Sequence, residues 1–470
     1  MTDRAPTNPE GALVEERAYS FDFAPLSDGG SPVRLHGWPD PGRPREFVVS
    51  LDDAELTRLA VAVVPPVAAD LLDLAVAIYV ADRLAPYRLD RGHRRVHVRL
   101  PLRAPGPVEA ASDSLAELLE WTTGSAWSFS FSQRFGCLRS AERSPALAFP
   151  RSPVEVALWS GGLDALAGLD ARSRSEAGAR FALIGVGGND ITLGRQRTVF
   201  EGLEGPASGR ASLARLPIHL SGVGDMGKNA LSRARGVVYA LAGAAAALVH
   251  GERALAVYEN GVGALNLPYT RAEVGLDHSR SVHPLSLRLA SGFVSAVLGD
   301  PFRIHNPFLF DTKAAMLAGL TADGLHGLIA LTSSCDSPHR REPVQCGYCS
   351  SCVLRRQSIA AAGLPDDTRY VVPHGDPPKG DPLAYVRLAS AQAERLGALA
   401  RGGGEPLARE HPVLDDVVDR CAEGEWLTPT GFQARLALLF SRHASDWDAA
   451  RSALSEGGLP VRPVSLALPV

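Results

Sequence analysis

Val156-Ala157-Leu158-Trp159-Ser160-Gly161-Gly162-Leu163-Asp164 is an apolar run that ends in two glycines and a carboxylate. The four apolar residues read as a buried strand. Ser-Gly-Gly supplies a tight turn, and helical spacing resumes at once from Ala165 to Ser173. A strand, a glycine turn and a helix N-terminus together make a cradle for phosphate. The glycines let backbone N–H groups approach the oxygens, and the helix dipole favours the negative charge. The Ser160 hydroxyl adds a donor, and Asp164 suits a cation that bridges phosphates. No Gly-Lys-Ser/Thr follows, so this is not the P-loop of common ATPases. A plain strand-to-helix turn uses the same residue types, so the stretch indicates the fold before it indicates a ligand.

The same alternation continues on either side. Val154 to Trp159, Phe181 to Val186, Leu213 to Leu220 and Ala254 to Tyr258 read as buried strands. Ala165 to Ser173 and Asn229 to Val249 read as helices between them. The pattern predicts an α/β fold with a doubly wound parallel sheet over residues 154–365. Residues 1–15 read as a loose tail. Residues 16–150 mix alternating strands (Glu46 to Leu51, Val96 to Leu100) with helical stretches (Leu71 to Leu84, Ser114 to Trp121) and predict an N-terminal α+β domain. Phe149-Pro150-Arg151-Ser152-Pro153 reads as its boundary. Residues 366–470 read as a mainly helical C-terminal extension. Its helices are Ala384 to Ala400 and Thr430 to Ser441, split by a flexible Arg401-Gly-Gly-Gly404. Trp121 and Trp127 read as core residues.

The chain has 470 residues, 48 Lys+Arg against 52 Asp+Glu and a net charge of −4, which argues against a nucleic-acid coat or a polybasic membrane binder. Direct nucleic-acid binding is therefore not expected. Met1 to Glu16 carries four acids and no apolar run, unlike a signal peptide. Gly236 to Val249 is the longest uncharged apolar stretch and is too short to span a bilayer. These features predict a cytoplasmic protein. Arginine outnumbers lysine 45 to 3, so each of Lys228, Lys313 and Lys379 stands out against an arginine-writing background.

Four of the six cysteines fall within 18 residues: Cys335, Cys346, Cys349 and Cys352. Two overlapping C-x-x-C units and a distant partner suit tetrahedral zinc, and four sulfurs make a closed, structural site. Gly347 allows the turn between ligands. Arg340, Arg341, Arg355 and Arg356 flank the cluster and can offset its negative charge. Cys137 and Cys421 are isolated.

Ser160-Gly161-Gly162-Leu163-Asp164-Ala165 resembles the SGG-x-DS pattern of PP-loop ATP pyrophosphatases, with Ala165 in place of the serine. With Cys-x10-Cys-Gly-x-Cys-x-x-Cys-x-x-Arg behind it, the stretch from Val154 to Pro365 resembles QueC, the 7-cyano-7-deazaguanine synthase family. Ser232-Arg233-Ala234-Arg235, Thr312-Lys313, Thr332-Ser-Ser-Cys335 and Arg355-Arg356 are similar to further family segments. Glu259-Asn260-Gly261 with Asn266 and Ser279-Arg280-Ser281-Val282-His283-Pro284 looks more like the QueC-like proteins of antiphage systems (the QatC and CBASS-associated kinds). The roughly 150 residues before and 100 after are a departure from ordinary QueC, which is close to a single domain.

The resemblance implies an adenine-nucleotide alpha-hydrolase-like fold and an enzyme using ATP, Mg²⁺ and Zn²⁺. It implies adenylation of the carboxylate of 7-carboxy-7-deazaguanine, with pyrophosphate leaving and an amine then attacking. In the defence-associated relatives that amine belongs to a partner protein, so a partner from the same operon is implied. A homodimer is compatible with the reading. By residue, Ser160, Gly161, Gly162, Leu163 and Asp164 would hold pyrophosphate and Mg²⁺. Arg233 and Arg235 would clamp phosphates, and Lys313 would reach the α-phosphate. Glu259, Asn260, Gly261 and Asn266 would read the base, Arg280 would pair with its carboxylate, and His283 would act nearby. Cys335, Cys346, Cys349 and Cys352 would hold zinc. Three other readings compete, the first an ordinary 7-cyano-7-deazaguanine synthase in which ammonia is the amine. A PP-loop tRNA thiolase needs a sulfur-carrying cysteine outside the zinc set, and an inactive nucleotide-binding scaffold would follow from the loss of the motif serine.

Overall fold

The computed structural model describes residues 17–456 apart from 38, 39, 41, 58–63, 87–93, 144–153, 225–228, 230, 231, 271–278, 322, 323, 337–343 and 372–383. The expected tail over 1–15, the boundary over 149–153, Lys228, Arg340, Arg341 and Lys379 lie outside the described residues.

Ten strands form one mostly parallel mixed sheet. They are β1 (Arg17–Phe23), β2 (Ser31–Gly37), β3 (Arg45–Leu51), β4 (Arg94–Leu102), β5 (Ala126–Gln133), β6 (Val154–Leu158), β7 (Arg180–Gly187), β8 (Ala211–Ser221), β9 (Ala254–Ala256) and β10 (Arg303–His305). Their spatial order is β10-β9-β6-β7-β8-β3-β2-β1-β4-β5. From β10 to β8 every pair is parallel, as the alternating pattern predicts. The chain winds outward through β6, β7 and β8, then crosses back to place β9 and β10 on the other side of β6. The winding reverses between β6 and β9, and a crevice opens there at the carboxyl ends of the strands.

The N-terminal strands belong to the same sheet. β3 pairs antiparallel with β8, Val48 to Leu51 lying opposite Ser221 to Ile218. β2 and β1 continue antiparallel, while β4 and β5 add parallel to β1. One apolar core spans both halves. It packs the helix Pro66–Leu84 against the helix Arg235–Val249, in which every residue but Arg235 and Tyr239 is buried. The expected N-terminal domain and the expected α/β domain therefore share a sheet and a core.

The second helix starts later than its apolar pattern suggests, at Arg235 instead of Asn229. The buried Asp82 carboxylate accepts Ser232 Oγ at 2.8 Å and Ala234 N at 3.0 Å while paired to Arg94 at 2.8 Å. The Asn229 amide donates to the backbone carbonyls of Asp82 and Ala85. The Asp82 carboxylate thus serves as the acceptor for the Ala234 N–H at the head of the helix, and the Asn229 and Ser232 side chains tie the preceding segment to the end of the helix Pro66–Leu84.

In the C-terminal region, Ala384–Ala400 forms as expected, and the helix expected over Thr430 to Ser441 runs on through Pro429–Glu456. Arg401 to Gly404 is not a flexible split: Arg401, Gly402 and Gly403 N–H groups all bond back to the preceding helix, and Gly404 opens the next one. Phe432, Leu436, Leu439 and Phe440 pack against Ala264, Leu265 and Leu309, and Trp447 and Ala450 against Val353. The extension thus supports both the segment after β9 and the cysteine-bearing helix Ser350–Ala361. Among the described residues no helix is long and apolar enough to cross a membrane.

Candidate functional site

The glycine turn sits at the carboxyl end of β6. Trp159 N bonds Ile184 O at 2.8 Å, and its indole donates to Gln196 O at 2.9 Å, so the turn is pinned to β7 and to the helix Asp190–Glu201. Gly161 has φ +69°, and a Cβ there would lie 3.0 Å from the Gln196 backbone. The left-handed conformation and the close approach both require glycine. Ser160 Oγ accepts from Gly162 N at 3.1 Å, and Gly162 caps the helix Leu163–Ser175. Leu163 and Ala165 are buried, so they anchor the turn from below.

Asp164, in the first turn of that helix, is the hub of a charged group. Lys313 Nζ lies 2.6 Å from Asp164 Oδ2. Asn260 Nδ2 donates to Asp164 Oδ1 at 2.9 Å and to Glu259 Oε1 at 2.7 Å. Burial and the adjacent Asp164 carboxylate push the Glu259 carboxyl up to about 8, with Lys313 opposing. Asn306 grips both sides of the Glu259 peptide, taking its N–H at 3.4 Å and donating to its C=O at 2.7 Å. Asn260 Oδ1 caps the short helix Gly261–Leu265 through Gly263 N at 2.8 Å, and Gly261 N bonds Asp311 O at 2.8 Å. Thr312 caps the helix Lys313–Leu317 through Ala315 N at 3.2 Å, which fixes the lysine's starting point. Asp164, Glu259, Asn260 and Lys313 come from three separate segments, and all meet at the reversal of strand order.

Arg233, Arg280 and His283 meet in a second group around Trp121. The Arg280 guanidinium stacks 3.8 Å over the Trp121 ring and donates to its carbonyl at 2.6 Å. Arg233 reaches Thr123 O at 3.5 Å. Both cations face the carboxyl end of the helix Ser112–Thr123, where unpaired carbonyls favour positive charge. Burial pushes the His283 imidazole down to about 3, with Arg280 adding to the effect. The neutral ring accepts from Leu285 N and caps the helix Pro284–Leu298. Trp127 is a core residue as expected. Trp121 is only half-buried and forms the platform of this group. Arg235 is exposed at the head of its helix, and Asn266 Nδ2 donates to Ser279 O at 3.1 Å.

The four clustered cysteine sulfurs all lie within 4.8 Å of one another. Zinc–sulfur bonds of about 2.3 Å in a tetrahedron place sulfurs roughly 3.8 Å apart, so this donor set fits one zinc ion with little movement. Backbone N–H groups point at the sulfurs: Cys346 N at Cys335 Sγ (3.4 Å) and Cys349 N at Cys346 Sγ (3.2 Å). Gly347, at φ +87°, makes the turn between them. Arg355 and Arg356 are buried beside the cluster. Arg355 bonds Thr332 Oγ1 at 2.8 Å and Thr368 Oγ1 at 2.9 Å, and Arg356 lies over the Tyr370 ring. Cys137 is exposed and Cys421 buried, both away from the cluster.

Arg195 and Asn306 sit against these residues and escape the sequence reading; Ser333, within the Thr332–Cys335 segment, takes no role of its own from the sequence. Neither Arg195 nor Asn306 lies in a motif; each is brought in by a contact over a long stretch of chain.

No family model matches the chain. Part of it is 45% identical over 85 residues to the 7-cyano-7-deazaguanine synthase of Anaeromyxobacter sp.. It is 40% identical over 81 residues to that of Cupriavidus metallidurans and 43% over 74 residues to that of Methylococcus capsulatus. The matches cover 18%, 17% and 16% of this chain and 35%, 34% and 32% of the relatives. The chain thus spans about a third of the length of the curated relatives it matches.

Proposed function

We propose that this protein is an ATP-dependent ligase of the 7-cyano-7-deazaguanine synthase type. It adenylates the carboxylate of 7-carboxy-7-deazaguanine and passes the activated acyl group to an amine. The observation that carries this reading is the convergence of the Ser160–Asp164 turn, Lys313, Glu259 and Asn260 at the switch point of the sheet. Its support from outside is the identity with deazaguanine synthases over part of the chain.

The carboxylate oxygen attacks the α-phosphorus, and pyrophosphate leaves. The N–H groups of Gly161 and Leu163, and that of Gly162 on leaving Ser160 Oγ, would donate to the pyrophosphate oxygens, and Asp164 would hold a Mg²⁺ that would offset their charge. Lys313 rests on Asp164, and from there it would serve the α-phosphate, where charge builds. Glu259, whose carboxyl is pushed up to about 8 by burial and the Asp164 charge, would offer a donor to the polar edge of a guanine-like base. Asn260, buried and with its amide already bonded to Asp164, Glu259 and Gly263, would hold Glu259 in place instead of reading the base. Arg233, Arg235 and Arg280 would supply positive charge toward the phosphates and the carboxylate, and Asn266 and His283 would hold that segment through Ser279 O and Leu285 N. Zinc on the four cysteines would supply structural crosslinking. The proposed setting is the cytoplasm.

We assign the amine to the N-terminus of a partner protein, in bacterial antiphage defence. The five added strands and the helical extension exceed what a small base and ATP need. Incubation with ATP, Mg²⁺, the acid and the operon-encoded neighbours should release AMP and add the deazaguanine mass to one protein. Clean formation of the free nitrile from ammonia, with no protein mass change, would leave ordinary base synthesis instead. Retention of ATP without AMP release would favour a binding scaffold.

A further inference from the structure

The segment before the first zinc-cluster cysteine forms one wall of the glycine turn. Ser333 N bonds Gly161 O at 3.4 Å, and Ser333 O stands 3.2 Å from where a Gly162 Cβ would be. The opposite wall is the helix Asp190–Glu201, whose Arg195 backbone carbon lies 3.2 Å from a Gly161 Cβ position. The Arg195 side chain joins the two walls, since its Nη1 donates to Ser333 Oγ at 3.0 Å. A half-buried guanidinium is therefore tied to the same hydroxyl-bearing residue that touches the turn.

Ser333 is in turn held from the cysteine side. Gln345 accepts Ser334 N at 3.0 Å and donates to Thr332 O at 3.1 Å, and it is the residue before Cys346. Arg355, three residues past Cys352, bonds Thr332 Oγ1 at 2.8 Å. Thr332 to Cys335 is thus a strut with the cysteine cluster at one end and the phosphate turn at the other.

We propose that Arg195 is a further phosphate-binding cation of the turn, aimed by Ser333, and that the cysteine cluster positions it through this strut. The inference rests on the nucleotide-binding reading above. A planar, permanently charged fork suits the terminal oxygens of a polyphosphate, while Lys313 attends the α-phosphate as a point charge. Zinc would then contribute to substrate binding indirectly, by fixing Cys335 and with it Ser333.

The test is titration calorimetry of the full chain with inorganic pyrophosphate and with ATP, alongside circular dichroism. Arg195→Gln should weaken pyrophosphate binding on the order of tenfold to a hundredfold, with Arg195→Lys restoring part of it. Ser333→Ala should lose roughly fivefold, and the double variant should be no weaker than Arg195→Gln alone, because both act through one contact. In activity assays the loss should fall on KM for ATP more than on kcat. Wild-type-like pyrophosphate affinity in folded Arg195→Gln overturns the inference and leaves the function standing. Strictly additive losses in the double variant overturn the coupling through Ser333. Absence of pyrophosphate and ATP binding in the wild-type chain overturns both the inference and the reading it rests on.

Discussion

Lys313 is one of three lysines in a chain with 45 arginines, and it alone of the three falls among the described residues. Its burial and its 2.6 Å contact with Asp164 leave little room for a broader cation. Lys313→Arg keeps the charge but not the shape, and AMP formation is expected to fall on the order of a hundredfold, as read by a coupled AMP assay. Near-full turnover would return this lysine to a packing role. Glu259 offers a pH test. Its folded-state value stands above the ordinary 4.5, so its contribution to stability is full below that pH and is lost as pH rises through about 8. Glu259→Gln, which keeps the neutral shape, is expected to flatten that decline in melting temperature. An unchanged slope would show that Glu259 ionises freely. The sequence marks Lys313 and Glu259 as candidates through their motifs. It says nothing of their mutual contact through Asp164, because some 50 to 150 residues separate the three.

At the level of elements, the glycine turn was legible because strand, turn and helix are adjacent in sequence and each obeys a local rule. Gly161→Ala forces a side chain into a left-handed conformation against the Gln196 backbone. A local cost of about 1–3 kcal/mol is expected, with loss of ATP binding in calorimetry before any loss of the fold. The start of the helix Arg235–Val249 was not legible. Asp82 sets it from 150 residues away by accepting from Ser232 and Ala234, and no pattern near Asn229 signals that. Asp82→Ala takes the carboxylate away from the buried Arg94, and a loss of roughly 3–5 kcal/mol in denaturant unfolding is expected. A loss near zero would mean that water replaces the carboxylate at this junction. The strand alternation of Val96 to Leu100 was readable, yet its partners were not, since pairing depends on register with distant strands.

In the whole molecule, the N-terminal strands complete a sheet that the α/β pattern alone leaves with an open β8 edge. The helix Pro66–Leu84 also covers the Ala-rich helix Arg235–Val249, which has almost no polar face of its own. A chain beginning at residue 154 is therefore expected to aggregate instead of folding, judged by gel filtration and circular dichroism; a soluble, folded product would mean that the two halves are independent. The proposed chemistry needs this whole frame, because the turn, Lys313, Glu259 and the cysteine strut are carried by different parts of it. The most direct measurement is product analysis with ATP, Mg²⁺ and 7-carboxy-7-deazaguanine, comparing the wild-type chain with Asp164→Ala. AMP and pyrophosphate are expected in equal amounts, formed only when the acid is present and abolished in the variant. AMP formation indifferent to the acid, release of ADP and phosphate instead, or full activity in Asp164→Ala would contradict the proposed chemistry.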